Sequence, residues 1–233
     1  MIYLLIKGLK RTIGFCLYTL YFNFKVLPLR QALKFPFYVY IWPTIMSNKG
    51  KVVFDNSFPI KKGMIRIGAQ RTPVYREKVL IWRNDGTVVF KGLCRMGHHI
   101  MIMVRPGAYL EFGDQTAFNS GCRIGCKKKI IFGNKVKVSW DCQFYDTDFH
   151  AIIDMVRGKP LKVTIPIFIG DEAWIGHNVI VCKGVKIANG IIVGAGSVVK
   201  NSFSTPNCIV AGNPAEMIDE GFKPVFKFKE LFN

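Results

Sequence analysis

The stretch IGDEAWIGHNVIVCKGVKIANGIIVGAGSVVKNSFS, residues 169–204, decides the fold. An aliphatic residue returns in it at every sixth position: Ile169, Ile175, Val181, Ile187, Val193 and Val199. Four residues after each stands a second small or apolar side chain, at Ala173, Val179, Val185, Ile191, Ser197 and, larger than the others, Phe203. This period suits neither a helix at about 3.6 residues per turn nor a lone strand at about two, because neither keeps all six aliphatic residues on one buried line. Short strands separated by tight turns do keep them there. Gly or Ala follows the aliphatic residue at Gly170, Gly176, Ala188 and Gly194, and Gly or Asn in a turn accepts backbone angles that a β-branched residue refuses. Stacked coils of this kind satisfy one another's backbone groups and share a continuous core. Asp171, Glu172, His177, Asn178, Lys183 and Asn189 then lie outside.

Upstream the same register runs through Phe112, Phe118 and Ile124, slips by two residues, and resumes at Phe132, Val138 and Phe144. It is looser at Phe90, Met96 and Ile102. The strand-like pattern begins at Gly50, and Gln70 to Asp85 reads as an insertion or an irregular early coil. Cys122 and Cys142 fall on inward positions and read as small buried residues. Between Phe149 and Pro166 the repeat stops, so a polar segment of about 150–166 leaves the scaffold and returns, a usual place for function. The chain divides into an N-terminal segment 1–48, a β-helix 49–212 closed by the Asn213-Pro214 turn, and a tail 213–233 that alternates aromatic and basic residues, among them Phe222, Lys223, Phe226, Lys227, Phe228 and Lys229.

The first 48 residues differ in kind. The longest uncharged run, Thr12 to Phe24, is too short to span a bilayer, which needs about 20 apolar residues. One or two helices carrying Lys7, Lys10, Arg11 and Lys25 beside Phe15, Tyr18, Tyr21 and Phe22 suit a membrane interface, and equally a cap on the β-helix. Across the chain, 33 Lys and Arg against 15 Asp and Glu give a formal net charge of +18, which favours an anionic partner. Seven Cys, no CxxC pair and no cleavable-looking leader point to reduced thiols in the cytoplasm.

The chemistry-bearing run is Asp146-Thr147-Asp148-Phe149-His150, at the mouth of the excursion. A histidine beside a carboxylate can act as a general base near neutral pH, the carboxylate fixing the ring and stabilising the imidazolium. Either Asp148, the closer in sequence, or Asp146 is available for that task. His98 and His99 occupy turn positions and are expected to point outward, and Cys182 is the rival nucleophile.

The hexads, the DTDFH run and the following Trp174-Ile175-Gly176 together resemble the hexapeptide-repeat acyltransferases, clearly from about Phe112 to Ile218. Within them the likeness is to sugar O-acetyltransferases of the maltose and galactoside group, and more closely to those of bacterial capsule, exopolysaccharide or lipopolysaccharide biosynthesis. The resemblance implies an all-β fold, a left-handed parallel β-helix, although general rules favour right-handed crossovers. It implies a homotrimer with active sites between subunits, acetyl-CoA as donor, a carbohydrate acceptor, and no metal. It maps the base to His150 and places Trp174 beside the pantetheine arm, with backbone groups of Gly194 and Ala195. Lys200 and the Thr205 to Asn213 segment then lie toward the nucleotide. His177 departs from the family, which usually has a small residue there, sometimes a serine. It either donates to the oxyanion or merely occupies an outward turn.

Other functions fit less of the chain. An enzyme of the γ-carbonic anhydrase kind needs three spaced histidines, whereas two of the four here are neighbours. The basic residues form no recognised nucleic-acid motif. A non-catalytic scaffold has no need of the DTDFH excursion followed by WIG.

Overall fold

The computed structural model describes residues 2–69 and 79–226, with side chains from residue 12 onward. Residues 70–78, which hold most of the expected insertion, and Lys227, Phe228 and Lys229 of the tail lie outside the described residues. So do the side chains of Lys7, Lys10 and Arg11.

The architecture is a left-handed parallel β-helix. Its strands form three long sheets, each running the length of the coil. The first sheet stacks Phe37–Val39, Ile65–Ile67, Cys94–Met96, Thr116–Phe118, Lys137–Val138, Trp174–Ile175 and Ile192–Val193, and ends on the antiparallel pair Cys208–Gly212 and Ala215–Glu220. The second runs from Pro43–Asn48 to Val198–Val199, and the third from Lys51–Phe54 to Lys186–Ile187. Each strand hydrogen-bonds to its counterpart one coil away, as where the Trp174 N–H donates to the Ile191 carbonyl (2.9 Å) and that of Gly176 to Val193 (2.8 Å).

The six-residue period becomes geometry here. Ile169, Ile175, Val181, Ile187, Val193 and Val199 are all buried, as are Ala173, Val179, Val185, Ile191 and Ser197. In the lower coils the interior is aromatic: Phe54, Phe90, Phe112 and Phe132 form a column with ring centroids 5.2–6.0 Å apart, close to the spacing of hydrogen-bonded strands. Cys122 and Cys142 are buried, as their positions in the repeat required.

The residue pair after the inward side chain of the third sheet has its own role. Asp114, Asn134, Asp171 and Asn189 stack at one corner, and each side-chain oxygen accepts a backbone N–H from the coil beneath: Leu93 (2.7 Å), Asp114 (2.9 Å), Asn134 (2.6 Å) and Asp171 (2.9 Å). A Cβ on the preceding Gly133 would stand 2.4 Å from the Asp171 oxygen, so this ladder dictates the glycine.

The first coil starts earlier than Gly50. Phe37–Val39 and Pro43–Asn48 already belong to the first and second sheets, and Pro36 and Pro43 at or before their starts are tolerated because these are edge strands. Leu80–Asn84, within the expected insertion, is a regular strand of the second sheet. At the other end the first sheet continues past residue 212 through Ala215–Glu220, so the tail begins inside the solenoid.

The helix α1, Ile2–Val26, closes the open lower end. Phe22 meets Phe37 and Trp82 edge-on, and Asn23 turns its amide onto the edge strand, donating to the Phe37 carbonyl (2.9 Å) and accepting its N–H (3.2 Å). Thr19 accepts the Val39 N–H at 3.0 Å. These side chains supply the partners that another coil would have given, so a sheet edge that could template aggregation is covered. The cap is therefore real, and Phe15, Tyr18 and Phe22 serve it, Phe15 packing on Tyr38 and Tyr40. Replacing Asn23 with Leu leaves the buried Phe37 peptide groups without that amide. Urea unfolding should show a loss of about 2–4 kcal/mol, and a change under about 0.5 kcal/mol would mean that the edge finds other partners.

Candidate active site

The run from Asp146 to His150 leaves the second sheet where Gln143–Tyr145 ends. Its excursion is an antiparallel arm: Ile165 donates to the Asp146 carbonyl (3.0 Å), Asp148 to Val163 (3.0 Å) and Leu161 to Ile152 (2.8 Å), and Ile153–Asp154 pairs with Lys159–Pro160. The polar segment expected to leave the scaffold and return is thus a built hairpin. Its tip carries two apolar side chains wholly outside, Met155 being 86% and Val156 96% exposed, beside the Asp154–Arg157 ion pair.

At the root of the arm each carboxylate is committed away from the histidine. Asp146 is wholly buried and accepts the backbone N–H groups of Lys127 (2.7 Å), Lys128 (2.7 Å) and Lys129 (2.6 Å) in the coil below. That turn is the two-residue slip in the hexads, and Asp146 is the anion around which it folds. Asp148 pairs with the Lys183 ammonium, which also donates to the Lys162 carbonyl at 2.6 Å and so pins both strands of the arm to the next coil. Both aspartates, expected to orient His150, thus hold other partners: Asp146 the coil below, and Asp148 the Lys183 ammonium through one oxygen. The turn itself sets the direction of the chain: Thr147 Oγ1 accepts the Phe149 N–H (3.0 Å), Phe149 adopts left-handed backbone (φ 63°), and His150 emerges exposed.

The other expected residues lie elsewhere. Trp174 is on the outer face of the first sheet, its indole N–H reaching Ser139 Oγ at 3.4 Å, beside a pocket of about 320 Å³ lined by Lys137, Ser139 and the tail residues Pro224 to Phe226. His177 is exposed in the turn between the first and second sheets and stacks on Trp140, ring centroids 5.3 Å apart. Ala195 follows one coil on in that turn, where the Gly196 N–H donates to the His177 carbonyl (2.8 Å). A Cβ at Gly176 would meet the Ala195 N at 2.7 Å, which explains the glycine of Trp-Ile-Gly. Trp174, His177, Gly194 and Ala195 therefore gather along one edge of the second sheet. His150, Asp148 and Lys183 stand at its opposite edge. Lys200 follows Val198–Val199 on that same far edge and is not with the tryptophan.

His98, expected outside, is buried at 2% exposure, the left-handed residue of its turn being His99 (φ 58°). Cys182 is a poor nucleophile: burial raises its thiol above the ordinary range, and the nearby Asp148 carboxylate adds to the shift. Sequence reasoning missed Lys183, Ser139, Trp140 and Lys137. Trp140 had a signal, because it stands two residues after Val138 as His177 does after Ile175. Lys183 had none, since its coil neighbour is found only after the whole excursion is removed.

Two outcomes follow. Asp146→Asn puts an amide donor among three donors and should lower stability by about 3 kcal/mol, read by urea unfolding, rather than act first on turnover. Lys137, whose ammonium donates to the Gln115 carbonyl (2.7 Å), is pushed down from 10.5 to about 8 by burial. The folded chain sheds this proton first, so between pH 8 and 10.5 the unfolded chain holds more protons and the Lys137 contribution to stability rises with pH. The melting midpoint of the wild type relative to Lys137→Met should climb from about pH 7.5 to about pH 9.5, and parallel curves would exclude the shift.

Residues 166–201 match the family described as bacterial transferase hexapeptide (six repeats). A protein of Escherichia coli (strain K12) named for lipopolysaccharide biosynthesis O-acetyl transfer, WbbJ, is 46% identical over 147 residues, 58% of this chain and 73% of its own length. The galactoside O-acetyltransferase of the same organism is 35% identical over 123 residues, 50% of this chain and 60% of its own length. Several other curated relatives are spanned over about half their length. The crystal structure of the polySia specific acetyltransferase NeuO superposes with a TM-score of 0.56 at 22% identity, covering 80% of both chains, a likeness of fold. With the hexads, the coil geometry and the extent of the match to WbbJ in agreement, the chain belongs to the hexapeptide-repeat transferase family.

Proposed function

We propose that the chain is an O-acetyltransferase that moves the acetyl group of acetyl-CoA to a sugar hydroxyl, in the making of a bacterial surface polysaccharide on the cytoplasmic side. The names of its relatives support acetyl transfer and a carbohydrate acceptor. The observation that carries the reading is the placement of His150, an exposed imidazole at the foot of a hairpin arm anchored by Asp146 and by the Asp148–Lys183 pair.

His150 takes the proton of the acceptor hydroxyl as that oxygen attacks the thioester carbonyl. A tetrahedral oxyanion forms, the C–S bond breaks, and the departing sulfur recovers the proton from the imidazolium. Exposed and stacked on Trp140, His177 is offered to the oxyanion as a donor in this scheme. No covalent enzyme intermediate is involved, in keeping with the raised Cys182 thiol. Trp174 and the turn carrying Gly194 and Ala195 form the donor side.

The donor side and the base stand on opposite edges of one sheet, so we assign the complete site to the junction of two chains in a homotrimer. The apolar arm tip at Met155 and Val156 is the surface offered to the neighbour. Removal of a positioned base typically costs about 10²–10⁴-fold in rate. His150→Ala should lose turnover to a permissive sugar acceptor by that factor while binding acetyl-CoA normally in calorimetry. Near-wild-type turnover by the folded variant removes His150 from the chemistry. Co-expressed His150→Ala and Trp174→Ala chains should regain activity that neither has alone, because one junction of a mixed trimer then holds both intact residues. A complete absence of rescue argues for sites within single chains.

A further inference from the structure

The helix that caps the β-helix is apolar on two opposite sides, and the chain covers one of them. At about 100° per residue, Phe15, Tyr18, Thr19, Phe22, Asn23 and Val26 point to the coils. Ile13, Leu17, Leu20, Tyr21 and Phe24 fall on a single stripe on the far side. Leu17 is 54% and Leu20 49% exposed. Trp42, 56% exposed, stacks flat on Tyr21 with centroids 5.2 Å apart, and together with Leu17, Leu20, Phe24 and Lys25 it lines an open groove of about 770 Å³. Phe35 extends the patch from Phe24, at 6.0 Å. A cap needs no such face. A free helix side rich in Leu and aromatic residues costs solubility unless something occupies it.

Charge selects the occupant. No Asp or Glu occurs before Asp55, whereas Lys and Arg occupy eight positions up to Lys51. Lys25 lines the groove, and Arg30 and Lys34, in the segment that follows α1, are exposed as well. We propose that this outer face docks on an anionic lipid surface, α1 lying in the plane of the headgroups with Leu17, Leu20 and Phe24 directed at the acyl boundary and Trp42 and Tyr21 at headgroup depth. Tryptophan and tyrosine favour that depth, and cations gain from the negative leaflet beside it. A second copy of the chain meets the same face with like charge and no carboxylate to offset it, which disfavours an isologous pair. Among the described residues no helix is long and apolar enough to cross a membrane, so the contact lies in the interface plane.

The test is co-sedimentation of the full chain with vesicles of phosphatidylcholine alone and of phosphatidylcholine with phosphatidylglycerol. Binding is expected to the anionic vesicles and to be much weaker to the neutral ones. Leu17→Glu with Leu20→Glu should lower the partition by at least about tenfold with the melting temperature kept. Should that pair fail to fold, Trp42→Gln serves, with a smaller loss in the same direction. Lys25→Gln with Arg30→Gln should lose binding to anionic vesicles alone. Equal binding by wild type and the apolar-face variants overturns the proposal, as does absence of binding to anionic vesicles. Self-association that Leu17→Glu with Leu20→Glu abolishes, without any vesicle binding, overturns it in favour of a second copy.

Discussion

Apart from the arm and the closing antiparallel pair, the described strands find their hydrogen-bond partners one coil above or below, so each position along the coil must tolerate a near copy of itself about 5 Å away. That single constraint sorts the residues. Inside, it permits stacked phenyl rings in the wide lower coils and close aliphatic contact in the upper ones, as the Phe54 to Phe132 column and the Ile169, Ile187 pair show. At the corner after the third sheet it allows Asp and Asn to hang over the N–H of the coil below, provided that the residue before has little or no side chain. Where a coil has no successor the rule is met by proxy. Asn23 and Thr19 stand in for a strand at one end, and the Cys208–Gly212 and Ala215–Glu220 pair closes the other.

The candidate site arises where the stacking is deliberately broken. The arm between Asp146 and Ile165 has no counterpart in the coils around it, so its position must be set by side chains. A buried carboxylate holding three N–H groups and an aspartate–lysine pair do that work, and both are charged interactions that keep their geometry without a neighbouring strand. The exposed histidine then projects from a fixed base.

Much of this was legible in the chain. The hexads placed almost every interior residue from Phe112 onward, and the pause at Phe149 marked the arm, because a period is a property of local sequence. What stayed hidden depends on residues distant in the chain. Asp146 and Asp148 looked like partners of His150 by proximity, yet their partners are at 127–129 and at Lys183, brought near only by winding. The first coil was concealed by Pro36, Pro43 and aromatic residues that an edge strand accepts and a central one refuses. His98 stood at a turn position and is nevertheless buried. Phe15, Tyr18 and Phe22 could not be divided from Tyr21 and Phe24 until a helix with one side against the coils was in view.

The capping amide of Asn23 also bears on how such a chain can change in length. Ile175 lies beneath Val193, eighteen residues on, so a duplicated or lost segment of that size keeps every pairing in phase. A block added before α1 meets no strand edge, since the edge is already spoken for, and one added after the terminal antiparallel pair meets strands of the wrong direction. In the first sheet, covered at both edges, descent with modification can therefore lengthen or shorten the solenoid from within.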